Sequence, residues 1–274
     1  MQELLNDIHN IQLEMALEVK RICDKYNIKY SIIAGTLLGA VRHKGFIPWD
    51  DDLDIGMLRE EYDRFIEVCK KELDDKYFLQ TWDTDKDFPL PIAKLRKNGT
   101  RYVEKNSSKS NHHKGIYIDI FPFDNVPEST IKRKVQNIVT YILKRMLLIK
   151  KNYILWEDNE KLKRIIYKIV FIVSSLFPDY LIKDTLYRVM TMYNDRKTNK
   201  VVTFGGAYGY NKETINRQWL ENNKPIIFEN VEFSAPCDYE GYLTYLYRDY
   251  MTPPPENKRY NRHNIIEVRF REGS

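Results

Sequence analysis

The run WDDDLDIGML, residues 49–58, constrains this chain more than any other stretch. Asp50, Asp51, Asp52 and Asp54 lead directly into apolar sequence that reads as a buried strand. Side chains on a strand alternate between faces, so Asp50, Asp52 and Asp54 are expected on one side, and Asp51 and Leu53 on the other. Carboxylates crowded on one face repel each other unless a cation lies among them. Oxygen donors in that pattern suit Mg²⁺, or Mn²⁺ in its place. The bland alternative is a solvated acidic turn. The apolar continuation "LDIGM" and the preceding "SIIAGT" weigh against it.

A second feature lies just upstream. "IKYSIIAG" reads as a buried strand, and "TLLGAVRHKG" as a helix with Thr36 as N-cap and Gly45 as stop. A strand that ends at Gly35-Thr36 and opens a helix presents free backbone N–H groups and a positive helix end to an anion. An ordinary cap is the alternative. Phosphate cradle and paired aspartates on successive elements form the layout of a nucleotidyltransferase. That layout needs a third acid on a neighbouring strand. Asp119, between Ile118 and Ile120 in "GIYIDIFPFD", fits, because an apolar strand holds a carboxylate only when it is paired or metal-bound. The same strand is expected to break at Pro122, with Asp124 capping a turn.

The remainder sets the fold class as α/β (α+β), a nucleotidyltransferase-like mixed sheet core with a helical insert. Residues 3–25 carry apolar positions at helical spacing, "REEYDRFIEVCKKEL" is amphipathic, and "YFLQTWD", "LPIAKLRKN" and "TRYVEK" read as strands. "NSSKSNHHKG" reads as a polar loop with His112 and His113 facing solvent. From residue 131 the chain turns helical, apolar and basic. The organisation expected is a catalytic core over 1–127, a basic helical insert over 128–195, and a segment over 196–274 that packs back on the core. Cys23, Cys69 and Cys237 lie far apart with no metal-ligand spacing, which implies reduced thiols in a cytosolic protein. The opening residues lack the apolar core of a signal peptide, and the longest apolar run, 165–177, is too short to span a bilayer.

With these motifs in place, a resemblance is plain. "AGTLLGAVRHKGFIPWDDDLDIGM" is similar to the signature of the LicD family, the phosphocholine-transferase-like enzymes that include the fukutin-related proteins. "GIYIDIFPFD" and "APCDYEGYLTYLYRDYMTPPPENKR" resemble that family's later blocks, and the basic helical middle resembles it least. The resemblance implies transfer of a phosphate-bearing group from a nucleotide donor to a sugar. The expected case is phosphocholine from CDP-choline to a teichoic acid or lipopolysaccharide glycan.

On that reading Asp52 and Asp54 hold Mg²⁺, helped by Asp50 or Asp119, and Asp119 accepts the proton of the acceptor hydroxyl. Gly35 and Thr36 bind the diphosphate, with Arg42, Lys44, Lys94 and Arg96 as candidates to offset its charge. "IAKLRK" puts Lys94 and Arg96 on one strand face, and His43 lies in the loop between cradle and acids. The chain's 20 tyrosines leave room for an aromatic choline cage, although aromatics are core residues by default. Lys132, Arg133, Lys134, Lys144, Arg145, Lys150 and Lys151 ring apolar positions in a way that suits an anionic membrane surface, and a net charge of +5 agrees with anionic partners. The expected location is therefore cytoplasmic, peripheral at the inner face of the membrane, beside a lipid-linked acceptor. No nucleic acid partner is expected. The rival readings are a glycerol-, ribitol- or sugar-phosphate transferase, a nucleotidyltransferase acting on RNA or a small molecule, and a catalytically inert binding module.

Overall fold

The computed structural model describes residues 2–155, 161–261 and 264–270. The first helix, α1 (Gln2–Tyr26), buries Leu5, Ile8, Gln12, Met15, Val19 and Ile22, which recur every three or four residues and form one stripe. After the short strand β1 (Ser31–Ile32) comes α2 (Ala34–His43), then β2 (Asp54–Leu58), α3 (Arg59–Glu72), β3 (Tyr77–Gln80), β4 (Ala93–Lys97), β5 (Arg101–Glu104) and β6 (Tyr117–Asn125). All of these strands but β5 form a mixed sheet in the order β1-β2-β6-β4-β3. β2 and β6 run parallel at its centre, while β4 lies antiparallel to both β6 and β3. The central strands are apolar on both faces because α1, α3 and the later segments cover them, leaving Ile55, Leu95, Ile118 and Ile120 fully buried.

Three helices follow: α4 (Thr130–Lys150), α5 (Lys161–Ser175) and α6 (Asp179–Thr191). Leu147, Ile182, Leu186 and Met190 from this layer pack with Val126, Val202, Phe204 and Tyr210 in a second, smaller core. The chain then returns through β7 (Lys200–Val202), α7 (Tyr210–Glu213), β8 (Thr214–Asn216), α8 (Gln218–Glu221), β9 (Asn223–Phe228), β10 (Val231–Pro236) and α9 (Tyr239–Tyr247). β7 extends the end of β6, β9 and β10 form a hairpin, and β11 (Ile265–Arg269) pairs with β5.

Four local expectations are corrected. The strand does not break at Pro122: β6 runs through it to Asn125. The Asp119 N–H points to β2, where it meets the Leu53 carbonyl, so even-numbered amides point the other way. There β4 has ended opposite Ile120 and β7 begins only opposite Asp124, so the missing N–H of Pro122 falls in a gap. Asp124 caps no turn. It is buried inside β6 and takes a two-pronged ion pair from Arg59, with both N–O distances 2.8 Å.

Gly45 is not the residue that stops α2. Lys44 takes the left-handed conformation at φ 64°, and its carbonyl accepts from the Glu229 N–H at 2.9 Å. His112 does not face solvent. It is buried, 3.0 Å from the Tyr153 hydroxyl and 2.7 Å from the His113 carbonyl.

Candidate active site

The acid run does not become a strand until Asp54, and there β6 lies alongside it so that Asp54 pairs in register with Asp119. In-register neighbours project from the same face of a sheet, with their backbones about 5 Å apart. Two carboxylates therefore stand side by side at the start of the central strand pair. The lead-in keeps the alternation: Asp51 and Leu53 are buried at 1% exposure each, whereas Asp50 and Asp52 are half-buried.

Asp51, on the far face, accepts a hydrogen bond from the Tyr102 hydroxyl. Burial, and then the Asp51 charge, hold that phenol protonated far above its usual range. From α1, His9 Nε2 lies 2.7 Å from the Asp50 carbonyl, and Gln12 donates to the carbonyls of Asp51 (2.7 Å) and Tyr117 (3.1 Å). A carbonyl only accepts, so His9 carries its proton on Nε2. Burial lowers the pKa of this imidazole. The first helix thus pins the backbone of the acid run from behind.

The expected cradle faces this run. α2 begins one residue before Gly35, so Thr36 lies inside the first turn rather than at the N-cap. Its hydroxyl accepts the Asp54 N–H at 2.8 Å, a bond that ties the helix start to the strand start. The N-cap residue, Ile33, offers no side-chain cap to the first-turn amides. A Cβ placed on Gly35 would lie 3.0 Å from Asp50 Oδ2 and 3.8 Å from Asp52 Oδ1. Both carboxylates therefore come up against the helix opening, and the absence of a side chain at residue 35 leaves room for Asp50 in its present position.

The basic candidates divide. Lys94 sits opposite Asp119 on β4, with Nζ 2.9 Å from Asp119 Oδ1 and 3.3 Å from the Tyr117 ring centroid. The pair is at ion-pair distance but off the line of a well-formed hydrogen bond. Arg96 is buried two residues on, and it donates to Gln80 Oε1 (2.6 Å) and the Gly115 carbonyl (2.7 Å). Arg42 donates to His43 Nε2 (2.9 Å) and the Tyr250 carbonyl (3.0 Å). Burial lowers the pKa of both Arg42 and His43, and each is further lowered by a neighbouring guanidinium. Lys44 is exposed at the far end of α2.

The acids can be tested against a divalent cation. Among the described residues, no group of three or more His, Cys, Asp or Glu side chains converges tightly enough to enclose a metal. They gather instead as two pairs, Asp50 with Asp52 against Gly35, and Asp54 with Asp119 across the strands. Mg²⁺ takes one or two carboxylates and completes its octahedron with substrate phosphates and water, so hard oxygen pairs of this kind fit it.

Three tyrosines near the acids escape sequence reasoning. Tyr242 accepts the Ala34 N–H at 3.2 Å, next to Gly35, and Tyr208 and Tyr247 stand beyond it. Burial raises the pKa of all three phenols, and the charge of Asp54 adds to the rise in each. The glycine-rich "FGGAYG" before α7 is the one local hint of a loop built to carry such a ring.

Comparison with known proteins agrees with this geometry. A family profile described as the LicD/FKTN/FKRP nucleotidyltransferase domain matches residues 27–155, from the end of α1 through the acid run, β6 and α4. The chain is 30% identical over 250 residues to the lipopolysaccharide cholinephosphotransferase LicD of Haemophilus influenzae, covering 90% of this chain and 91% of that one. It is also 27% identical over 114 residues to the human ribitol 5-phosphate transferase FKRP, covering 40% of this chain and 20% of that one. An uncharacterised protein of Rickettsia prowazekii, RP689, is 38% identical over 85 residues, which cover 24% of this chain and 32% of that one. With likeness to LicD running through nine-tenths of both chains, this protein belongs to the LicD/FKTN/FKRP family.

Proposed function

We propose that this protein transfers phosphocholine from a CDP-linked donor to a sugar hydroxyl of a cell-surface glycan, of lipopolysaccharide or teichoic acid type, with Mg²⁺ (or Mn²⁺) bound. The observation that carries the reading is the pairing of Asp54 with Asp119 on parallel strands, in front of the helix opening that Asp50 and Asp52 touch. Likeness along nearly the full chain to a lipopolysaccharide cholinephosphotransferase supports phosphocholine as the cargo.

In this reading Asp52 and Asp54, one from each pair, would hold the metal, helped by Asp50 or Asp119. When bound, the cation neutralises charge on the donor diphosphate. Gly35 and Thr36 bring first-turn amides of α2 to the same phosphates. The acceptor hydroxyl oxygen bonds to the choline-bearing phosphorus, the bond from that phosphorus to the bridging oxygen breaks, and CMP leaves. Asp119 takes the hydroxyl proton, and Lys94 fixes the orientation of its carboxylate.

The deciding experiment is a donor panel with the purified full chain and Mg²⁺, read by release of nucleoside monophosphate. The account expects CMP from CDP-choline in the presence of a glycan acceptor. Turnover of CDP-ribitol or CDP-glycerol with none of CDP-choline would replace phosphocholine by ribitol phosphate, the cargo in the name of the human relative, or by glycerol phosphate.

The acceptor is lipid-linked on this account, and the enzyme meets it by lying on an anionic bilayer. No described helix alone is long and apolar enough to cross a membrane, although α5 and α6 pass that test jointly as a pair bent by 99°. What supports surface docking is an uncovered apolar stripe on each of two helices. Ile131, Val135, Ile138 and Ile142 are exposed along α4, and Ile165, Ile169 and Ile172 along α5, with Leu176 just beyond. The sequence of α4 carries Lys or Arg at both ends, that of α5 carries them in its first half, and neither contains an acidic residue. Exposed apolar side chains on helices whose sequences hold cations and no acids complement an anionic lipid surface, whereas a protein partner has no need of that charge bias. Co-sedimentation with phosphatidylglycerol vesicles at low salt is expected. Sedimentation that is equal with phosphatidylcholine, or absent at every salt concentration, would remove the idea. A dimer at assay concentration would assign the stripe to a second copy.

A further inference from the structure

The loop between β7 and α7 meets the end of α9 in a corner built from two aromatic rings. Tyr208 and Tyr247 have centroids 6.3 Å apart and planes at 81°. The Lys212 ammonium fills this corner, 4.0 Å from the Tyr208 centroid and 5.8 Å from that of Tyr247. Among the described residues no carboxylate lies within ion-pair distance of Lys212, so the ring faces are what hold the cation. Negative π-faces attract a positive nitrogen, most strongly where water is partly excluded. Tyr247 is half-buried, and Tyr208 is 45% exposed, so the corner is open on one side.

Its position gives it meaning. α9 packs on α2, and Tyr242 of α9 accepts the Ala34 N–H directly before Gly35. Asp54 is close enough for its charge to act on both Tyr208 and Tyr247, after the larger effect of burial. The corner therefore lies on the helix that packs against the start of α2, within reach of the Asp54 charge, on the side of the molecule where the reading above holds the phosphate end of a donor. Tyr208 is also firmly placed. Its N–H donates to Glu213 Oε1 at 2.9 Å, and Gly209 turns the chain at φ 82° immediately after it.

We propose that Tyr208 and Tyr247 form the subsite for the quaternary ammonium of the transferred group, with Lys212 occupying it until the group arrives. The assignment rests on the phosphocholine reading and makes it specific. A primary ammonium on a flexible stem is strongly hydrated and loses little by swinging into water. A trimethylammonium group holds water weakly and gains more from the rings, so it displaces the lysine. Ribitol phosphate and glycerol phosphate carry no cation and gain nothing from the corner, which makes it a selector of cargo.

The test uses the full chain and tetramethylammonium chloride as probe, followed by NMR titration against an equal concentration of sodium chloride, with no nucleotide present. Wild type is expected to bind. Tyr208→Ala, at an exposed position where folding is checked by circular dichroism, is expected to bind about tenfold more weakly, Tyr208→Phe to bind as wild type, and Lys212→Ala to bind several-fold more tightly. In the transfer assay the KM for CDP-choline is expected to rise about tenfold in Tyr208→Ala and to fall in Lys212→Ala. Equal binding of the probe by wild type and Tyr208→Ala overturns the subsite, as does weaker binding by Lys212→Ala. The two readings fail separately. CDP-choline turnover with a KM unmoved by Tyr208→Ala sinks the subsite alone. The expected probe pattern without CDP-choline turnover sinks the transfer reading and leaves an ammonium site.

Discussion

Replacing Gly35 by alanine separates the chemistry proposed for the acid cluster from the stability of the fold. The added Cβ would stand 3.0 Å from Asp50 Oδ2, a few tenths of an ångström inside ordinary contact, and 3.8 Å from Asp52 Oδ1. Gly35 is not at positive φ, so alanine meets no backbone penalty. Alanine is favoured over glycine inside a helix by up to about 1 kcal/mol. Its clash is with the free end of a carboxylate, which turns aside at a cost of similar size, well below the ~1–3 kcal/mol of an overpacked core. Net stability should therefore change by less than about 1 kcal/mol. Activity is different, because the methyl fills the space between the helix opening and two carboxylates. A methyl group in that space would hold the donor about 1 Å out of place, a misplacement that costs roughly a hundredfold in rate. The assay is CMP release from CDP-choline at saturating Mg²⁺, alongside thermal unfolding. Wild-type kcat and KM in a folded Gly35→Ala protein would mean that no donor group lies against Gly35, and the cradle would be abandoned.

Three further outcomes follow from the same structure. Asp124→Asn removes the charge that answers a buried Arg59, whose side chain is 11% exposed against 0% for Asp124. The loss should be about 3–5 kcal/mol, a fall in Tm of roughly 10 °C by calorimetry, and a fall under 2 °C would refute it. His112 is held neutral, with Nδ1–H donated to the His113 carbonyl and Nε2 accepting from Tyr153, and burial lowers its pKa to about 4. The unfolded chain takes up that proton near pH 6.5 and the folded one only near 4, so stability falls as pH drops through this window, by up to about 3 kcal/mol. His112→Gln should flatten that slope in urea titrations at successive pH values, and an unchanged slope would refute the assignment. Lys94→Met leaves Asp119 without its ion pair and should lower kcat more than KM, whereas a pure KM effect would make Lys94 a donor-binding group.

What the sequence reveals about this fold depends on how far each signal reaches. The strand alternation that separates Asp51 and Leu53 from Asp50 and Asp52 is legible because a period of two is a property of neighbouring residues. The α1 stripe and the segments that become β3, β4 and β5 are legible for the same reason. Thr36 looks like an N-cap, yet its hydroxyl is recruited by Asp54, 18 residues on, and nothing local announces that bond. The continuity of β6 through Pro122 depends on where β4 and β7 end, and the burial of Asp124 depends on Arg59, 65 residues earlier. His112 reads as solvent-facing because its sequence neighbours are polar. Tyr153 and the sheet edge that enclose it come from elsewhere in the chain. The Tyr208–Tyr247 corner is the furthest from view, since tyrosines are core residues by default and only the meeting of the loop before α7 with the end of α9 brings these two rings together.

The account turns on whether Asp54 serves a bound cation or merely completes the buried start of a central strand. The direct measurement is CMP release from CDP-choline as Mg²⁺ is titrated, for wild type and for a folded Asp54→Asn protein of nearly the same shape. The account predicts saturable Mg²⁺ dependence in wild type and a loss of a hundredfold or more in the variant, of the size seen when a group that stabilises the transition state is removed. Equal rates in the two proteins across the titration would contradict it.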